Sequence, residues 1–137
     1  MFEVKKSGNI LIPPGVVPEK HELETASTLA QLGKDIQFLV PSRIKGIRTA
    51  DILMDGIEWE MKCFFGSSLK TLRKTLKRAN KQSHNVILDL RHTKLKMNRC
   101  LAVVRHEYLL RVSLKRLIVI TKADLQTDTN AIIDLCR

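Results

Sequence analysis

The sequence has few of the features that mark several common protein classes. It contains only 1 Trp, 1 Tyr and 4 Phe in 137 residues, so aromatic platforms for stacking single-stranded bases are not evident. No apolar run approaches the roughly 18 residues of a membrane-spanning helix, and we expect no membrane span. The 3 cysteines show no Cys-x-x-Cys spacing, which argues against zinc knuckles and redox motifs and favours reduced, structural thiols.

Acidic residues are scarce in the middle of the chain. Residues 61–106 carry 12 basic side chains and 1 acidic one, whereas residues 1–60 carry 7 basic and 9 acidic side chains. The formal net charge of +10 is therefore concentrated in one segment. A basic segment beside an acid-bearing one suits an enzyme that holds cations next to a polyanion such as nucleic acid. A protein that is merely basic is the plainer alternative.

Length and composition predict one α/β domain over residues 1–137, because this chain is long enough for one substantial core. We expect an N-terminal arm over residues 1–18, a core over about 19–90 and an extension over 91–137. Periodicity and turn residues predict helices at 19–32, 69–82 and 97–112, strands at 36–40, 86–90 and 117–120, a hairpin at 49–63 and a weakly helical tail from residue 127.

The hairpin is the most informative segment. Asp55-Gly56 reads as a two-residue turn, which places Met54 opposite Ile57 and Asp51 opposite Glu60. Two facing acids have Cβ atoms about 5 Å apart, an arrangement that is unfavourable unless a cation or proton lies between them. A divalent metal held by Asp51 and Glu60 would resolve this, and Lys62 on the same face could orient or deprotonate a water. The alternative is a solvent-facing strand with Glu60 and Lys62 simply exposed.

Two helices add to this candidate site. Glu22 falls within the small-residue packing face of the first helix, so we expect it to be metal-bound, protonated or paired with a lysine. The helix at 69–82 has a leucine stripe and an opposite basic face that could bind phosphates or simply be solvated. The basic residues of that face are Lys70, Arg73, Lys74, Lys77, Arg78 and Lys81.

The order helix, three strands, helix, strand, with Glu22, Asp51 and Glu60-x-Lys62, resembles the αβββαβ core of the PD-(D/E)XK nuclease superfamily. The resemblance implies a restriction-endonuclease-like fold with a mixed central β-sheet, extended here by a C-terminal helix and strand. Ala50 stands where that superfamily nominally has Pro. A longer string is similar to the C-terminal tRNA nuclease toxin domains of CdiA-type contact-dependent growth inhibition proteins: Glu22-x-x-Thr25-Ala26-x-x-Leu29-Ala30-x-x-Gly33-Lys34-Asp35-Ile36, Ala50-Asp51-Ile52, Trp59-Glu60-x-Lys62 and Lys81-Gln82-Ser83.

This resemblance implies a phosphodiester-cleaving enzyme with Glu22, Asp51, Glu60, Lys62 and Gln82 as catalytic residues. Asp51 and Glu60 would hold a divalent metal, with Mg²⁺ expected and Mn²⁺ or Zn²⁺ as alternatives. The implied substrate is nucleic acid, tRNA before DNA, and the implied partner is an acidic immunity protein. The toxin would act in the cytoplasm of a target bacterium after delivery as part of a larger protein.

Three other functions fit the same residues. The chain could be a DNA endonuclease of the same fold, of the resolvase or repair type, or a nucleic-acid-binding module without activity. Its histidines also allow a metal-independent ribonuclease, in which an imidazole activates a ribose hydroxyl. These histidines are His21, His84, His92 and His106. The oligomeric state is left open by the sequence.

Overall fold

The computed structural model of this chain describes residues 7–47, 49–124 and 129–137. In this part of the chain, neighbouring strands pair in the order in which they occur in the sequence. The fold is mixed α/β, and the predicted order of helix, three strands, helix and strand is present between Lys20 and Asp89. The elements are β1 Ile10–Leu11, α1 Lys20–Gln31, β2 Ile36–Phe38, β3 Ile52–Met54, β4 Ile57–Cys63, α2 Leu69–Gln82, β5 Asn85–Asp89, α3 Met97–Leu110, β6 Arg116–Asp124 and β7 Thr129–Cys136.

The chain divides into two compact units, Met1–Trp59 and Glu60–Arg137, and β4 contributes residues to each. The single domain expected over residues 1–137 remains a prediction. None of the helices in the described residues has the length and apolar character that a membrane crossing requires.

In the first unit, the N-terminal arm joins the strands. β1 pairs in parallel with β2, and β2 pairs antiparallel with β3. The Gly8 N–H donates to the Ala30 carbonyl at 2.7 Å, and a Cβ at Gly8 would lie 1.8 Å from the Lys34 carbonyl oxygen. Only glycine therefore permits this close backbone approach. The small-residue face predicted for α1 is confirmed, since Ala26, Leu29 and Ala30 are buried.

The hairpin turn has the geometry that its sequence predicts. Asp55 and Gly56 both have positive φ, 55° and 76°, as a two-residue turn of type I′ requires. Met54 pairs with Ile57 and Ile52 pairs with Trp59, which confirms the register over these residues. The Trp59 side chain is fully buried, as expected, and its indole N–H donates to the Met54 carbonyl at 3.0 Å. The opposition of Asp51 and Glu60 stays a prediction.

In the second unit, two helices pack against a mixed set of strands. The Glu60–Cys63 part of β4 pairs in parallel with β5, and β5 pairs in parallel with β6. The leucine stripe of α2 and one face of α3 are buried in the core with the side chains of β5 and β6. This core includes Leu72, Leu76, Ala79, Val86, Leu88, Val103, Val104, Leu117 and Val119.

The expectation of a weakly helical tail is wrong. The described part of the tail forms β7, which pairs antiparallel with β6 from Arg116 opposite Cys136 to Asp124 opposite Thr129. The C-terminal extension therefore has one helix and two strands rather than one of each. The reason is tertiary: pairing with β6 satisfies the backbone groups of both strands, and this outweighs weak local helix propensity.

Candidate functional site

A buried carboxylate marks the second unit. Glu60 lies on β4 opposite Val86 of β5 and is only 2% exposed. Lys62 Nζ lies 3.4 Å from Glu60 Oε1. The side-chain amide of Gln82, oriented so that its nitrogen faces the carboxylate, lies 3.0 Å from Oε2 and 3.2 Å from Oε1. Three of the predicted catalytic residues therefore form one hydrogen-bonded cluster.

This cluster explains how a charged group is accommodated inside the fold. An isolated buried carboxylate is strongly unfavourable, whereas one with an ammonium and an amide donor is compensated. The side chain of Lys62 is 33% exposed, so its ammonium connects the buried carboxylate with solvent. The expected alternative of a simply exposed strand face is wrong for Glu60, because its side chain is only 2% exposed and Gln82, at the C-terminal end of α2, lies against its carboxylate.

The first unit contains the other two predicted catalytic residues. Glu22 and Asp51 line one cavity of about 270 Å³, together with Pro18, Phe38 and Thr49. Glu22 Oε1 accepts the Glu19 N–H at 3.0 Å, which closes the first turn of α1. The half-buried Glu22 side chain therefore caps the N-terminus of α1. The same residue also lines the cavity that Asp51 lines.

Asp51 is held by the backbone of its neighbours. Its N–H donates to the Trp59 carbonyl at 3.0 Å, and its own carbonyl accepts the Leu39 N–H at 2.9 Å. These two bonds fix the main chain from which the half-buried Asp51 side chain projects. Glu22 and Asp51 thereby place two hard oxygen donors at the same cavity, a donor type suited to Mg²⁺.

A second group of possible metal ligands was not anticipated from the sequence. Ligand atoms of Glu19, His21 and Glu22 lie within 4.8 Å of one another at the start of α1. His21 Nε2 is 3.3 Å from Glu19 Oε2. The Glu-x-His-Glu spacing at a helix start is the sequence signal that could have indicated this group.

The basic helix has the predicted bounds and an exposed cationic face. α2 runs from Leu69 to Gln82, and its N-terminus is capped by Ser68, whose Oγ accepts the Thr71 N–H at 3.1 Å. Arg73 differs from the others because its Nε lies 3.7 Å from Glu107 Oε1 on α3. The predicted phosphate-binding side chains are all exposed: Lys70, Arg73, Lys74, Lys77, Arg78 and Lys81.

Two of the four histidines contact residues distant in the sequence. The Nδ1 atom of His84 lies 2.8 Å from the Ser113 carbonyl oxygen. The ring of His92 stacks on that of Phe65, with centroids 5.1 Å apart and an interplanar angle of 22°. His21 adjoins Glu19, and His106 is exposed on α3. The described histidines are thus dispersed over several elements.

The fold of this chain is similar to that of a solved structure. A solved structure described as "CdiA-CT/CdiI toxin and immunity complex from Burkholderia pseudomallei" aligns with a TM-score of 0.61. The alignment covers 93% of this chain and 100% of that one, at 16% sequence identity. At this identity the match establishes a shared fold.

Family membership follows from the sequence itself. Residues 48–124, more than half of the chain, match the family model described as "Contact-dependent growth inhibition CdiA C-terminal domain". The chain belongs to this family of CdiA C-terminal domains, and membership indicates a toxin of contact-dependent inhibition. A search among curated proteins found no significant match.

Proposed function

We propose that this chain is a metal-dependent endonuclease of the PD-(D/E)XK type, which hydrolyses phosphodiester bonds in RNA as a contact-dependent inhibition toxin. The observation that carries the proposal is the buried Glu60 carboxylate, held by Lys62 and Gln82. Family membership supports the toxin role. The sequence similarity to tRNA nuclease domains supports tRNA as the preferred substrate.

The roles of the residues follow from their chemistry. Glu60 supplies a fixed carboxylate, and Gln82 orients it through the amide donor. Lys62, partly exposed, stabilises negative charge on the phosphate oxygens or positions the attacking water. Asp51 and Glu22 supply carboxylates at their shared cavity. The exposed cations of α2 hold the substrate backbone in a salt-dependent manner.

The carboxylates of Asp51 and Glu60 would supply oxygen ligands of the kind that a divalent cation such as Mg²⁺ prefers. When bound, such a cation supplies an acidified water and stabilises charge on the phosphate. That Asp51 and Glu60 share the cation rests on the register predicted from the sequence. Glu22 assists as a further carboxylate.

We further propose a partner for the toxin. The net charge of +10 and the basic face of α2 suit an acidic immunity protein, which would bind this face and block access of nucleic acid. The solved relative is described as a toxin and immunity complex, which supports this partner for the present chain. The toxin acts in the cytoplasm of the target cell.

The proposal is tested by incubating the purified chain with total tRNA and with plasmid DNA, each with Mg²⁺ and with EDTA. We expect Mg²⁺-dependent cleavage of tRNA. Glu60→Gln and Asp51→Ala should abolish cleavage while nucleic-acid binding persists. The matched control is Glu58→Gln, which removes the same charge from an exposed position of the same strand and should leave cleavage intact.

The remaining outcomes of this test select among the alternatives. Cleavage of plasmid alone would replace the RNA proposal by a DNA endonuclease. Cleavage of tRNA in EDTA would point to the metal-independent histidine mechanism. Binding without cleavage of either substrate, under all conditions, would identify a nucleic-acid-binding module and overturn the enzymatic proposal.

A further inference from the structure

An exposed aromatic pair lies in the second unit, outside the cluster around Glu60. Phe65, in the loop after β4, is 57% exposed, and its ring stacks on the exposed His92 in the loop after β5. Single exposed apolar side chains are common on protein surfaces. Each ring covers part of the other, but both side chains remain exposed and leave π surface open to solvent, the kind of surface on which nucleic-acid bases stack.

The two loops that carry these rings are fixed to each other. The Thr93 hydroxyl donates to the Gly66 carbonyl at 2.7 Å, and the Phe64 N–H donates to the Asp89 carbonyl at 2.9 Å. Thr93 is 1% exposed, so its bond is shielded from water. Phe65 therefore lies between two anchored residues. When a ligand stacks on Phe65, the loop loses little conformational entropy because it is already ordered.

The charge around the pair favours a polyanion. Lys94 and Lys96 follow His92 and are exposed, and Lys70 follows Phe65 on the first turn of α2. The acid of this region, Asp89, is neutralised by Arg91, whose Nη2 and Nε lie 2.7 Å and 3.0 Å from its two carboxylate oxygens. Aromatic stacking combined with a positive surface is the arrangement used by proteins that hold single strands.

Phe65 also lies close along the chain to Lys62 of the proposed reaction site. Phe65 is three residues beyond Lys62, so their Cα atoms are at most about 11 Å apart. A base stacked at Phe65 would belong to a nucleotide near the one whose phosphate meets Lys62. Stacking requires that base to be unpaired, since a base within a duplex already stacks on its neighbours.

We propose that Phe65 and His92 form a base-stacking subsite that selects nucleic acid with an unpaired base near the cleaved bond. This subsite deepens the proposed function. It rests on that function only in taking the bound strand to be the strand that is cleaved. It makes single-stranded loops and ends of RNA the substrate class, in preference to continuous duplex.

Binding in EDTA tests the subsite without any cleavage. The probes are a fluorescently labelled single-stranded RNA and an RNA duplex of the same length. Phe65→Ala should weaken single-strand binding by about 5- to 150-fold, the effect of losing one stacked base, while duplex binding changes little. Phe65→Tyr should retain the affinity, since it keeps the ring. Leu109→Ala, at another exposed apolar residue on α3, is the matched control and should have no effect.

A second measurement uses the unaltered protein. An iodouridine placed along the single strand should photocrosslink to Phe65 or His92, as identified by mass spectrometry of the crosslinked peptide. Unchanged single-strand binding by Phe65→Ala, or crosslinks found only at other residues, would overturn the subsite. A chain that binds through Phe65 but cuts nothing would overturn the nuclease proposal and leave the subsite standing.

Discussion

The amide nitrogen of Gln82 lies 3.0 Å from Oε2 of Glu60 and joins the C-terminal end of α2 to β4. Through this contact the basic helix and the buried carboxylate have a fixed relation within the second unit. The residues that would bind the substrate backbone and the residue that would act on it are thus joined by a direct side-chain contact.

The Gln82 contact positions the Glu60 carboxylate. Replacing Gln82 by Ala removes a hydrogen bond to a charged, buried group and should lower the free energy of unfolding by about 1.5–3 kcal/mol. We also expect kcat for RNA cleavage to fall with little change in KM, because substrate binding uses other residues. Urea unfolding and steady-state kinetics measure these two effects.

The control exchanges the two partners. Glu60→Gln combined with Gln82→Glu keeps one amide and one carboxylate in contact but moves the charge from β4 to α2. Compared with Gln82→Ala, the exchanged protein should regain much of the lost free energy of unfolding, but it should not cleave RNA. Equal activity of the exchanged and original proteins would contradict a specific role for the carboxylate on β4.

The exposed face of α2 should bind phosphates through charge alone. Neutralising both Lys77 and Arg78 removes two cations and should reduce the dependence of log affinity on log salt concentration by up to about 0.7–0.9 per residue. Affinity should fall similarly for all RNA sequences. Fluorescence anisotropy over a salt series provides the measurement, with Lys20→Ala on the exposed start of α1 as the control. An unchanged salt slope would show that this face is merely solvated.

Gly66 leaves room for a buried ring. A Cβ at this position would lie 2.6 Å from Cε1 and Cζ of Phe64, whose ring is buried and cannot move freely. Gly66→Ala should therefore destabilise the protein by about 1–3 kcal/mol through overpacking. Ser67→Ala, at the exposed neighbouring residue, should be nearly neutral. In a Phe64→Leu background the cost of Gly66→Ala should shrink, and full additivity would refute the steric explanation.

The three cysteines are thiols rather than disulfides, as the sequence predicts, and they should differ in reactivity. Burial raises the pKa of the Cys100 thiol above its ordinary value of 9.0, and nearby Lys122 partly opposes this shift. Less thiolate is then present at any given pH, so Cys100 should react only on unfolding, whereas exposed Cys136 should react at once. Thiol titration with mass-spectrometric assignment distinguishes the sites.

The same shift has a pH consequence for stability. Because the folded state holds the Cys100 proton more tightly, the stability due to this thiol is present below its unfolded pKa and is lost as the pH rises through the folded value. Stability above about pH 9 should thus fall less in Cys100→Ala than in the original protein. Parallel losses in both proteins would contradict this linkage.

Local features of the fold could be predicted because their causes are local. The Asp55-Gly56 turn fixes the hairpin register through its positive φ angles, and Ser68 together with the leucine stripe sets the start and the buried face of α2. The group of Glu19, His21 and Glu22 was not anticipated, whereas Glu22, Asp51, Glu60 and Lys62 were named from the sequence pattern and Gln82 from the family resemblance. Their catalytic roles and the metal remain proposals.

The sequence by itself determined the turn, the helix faces and the charge segregation, since each depends on residues only a few positions apart. Tertiary structure decided the rest. β7 is a strand because β6 pairs with it, and Glu60 is buried where the C-terminal end of α2 lies against it through Gln82. The contact between Gln82 and Glu60, and the stack of Phe65 on His92, join residues more than 20 positions apart. Such contacts depend on how strands and helices pack, which no local pattern specifies.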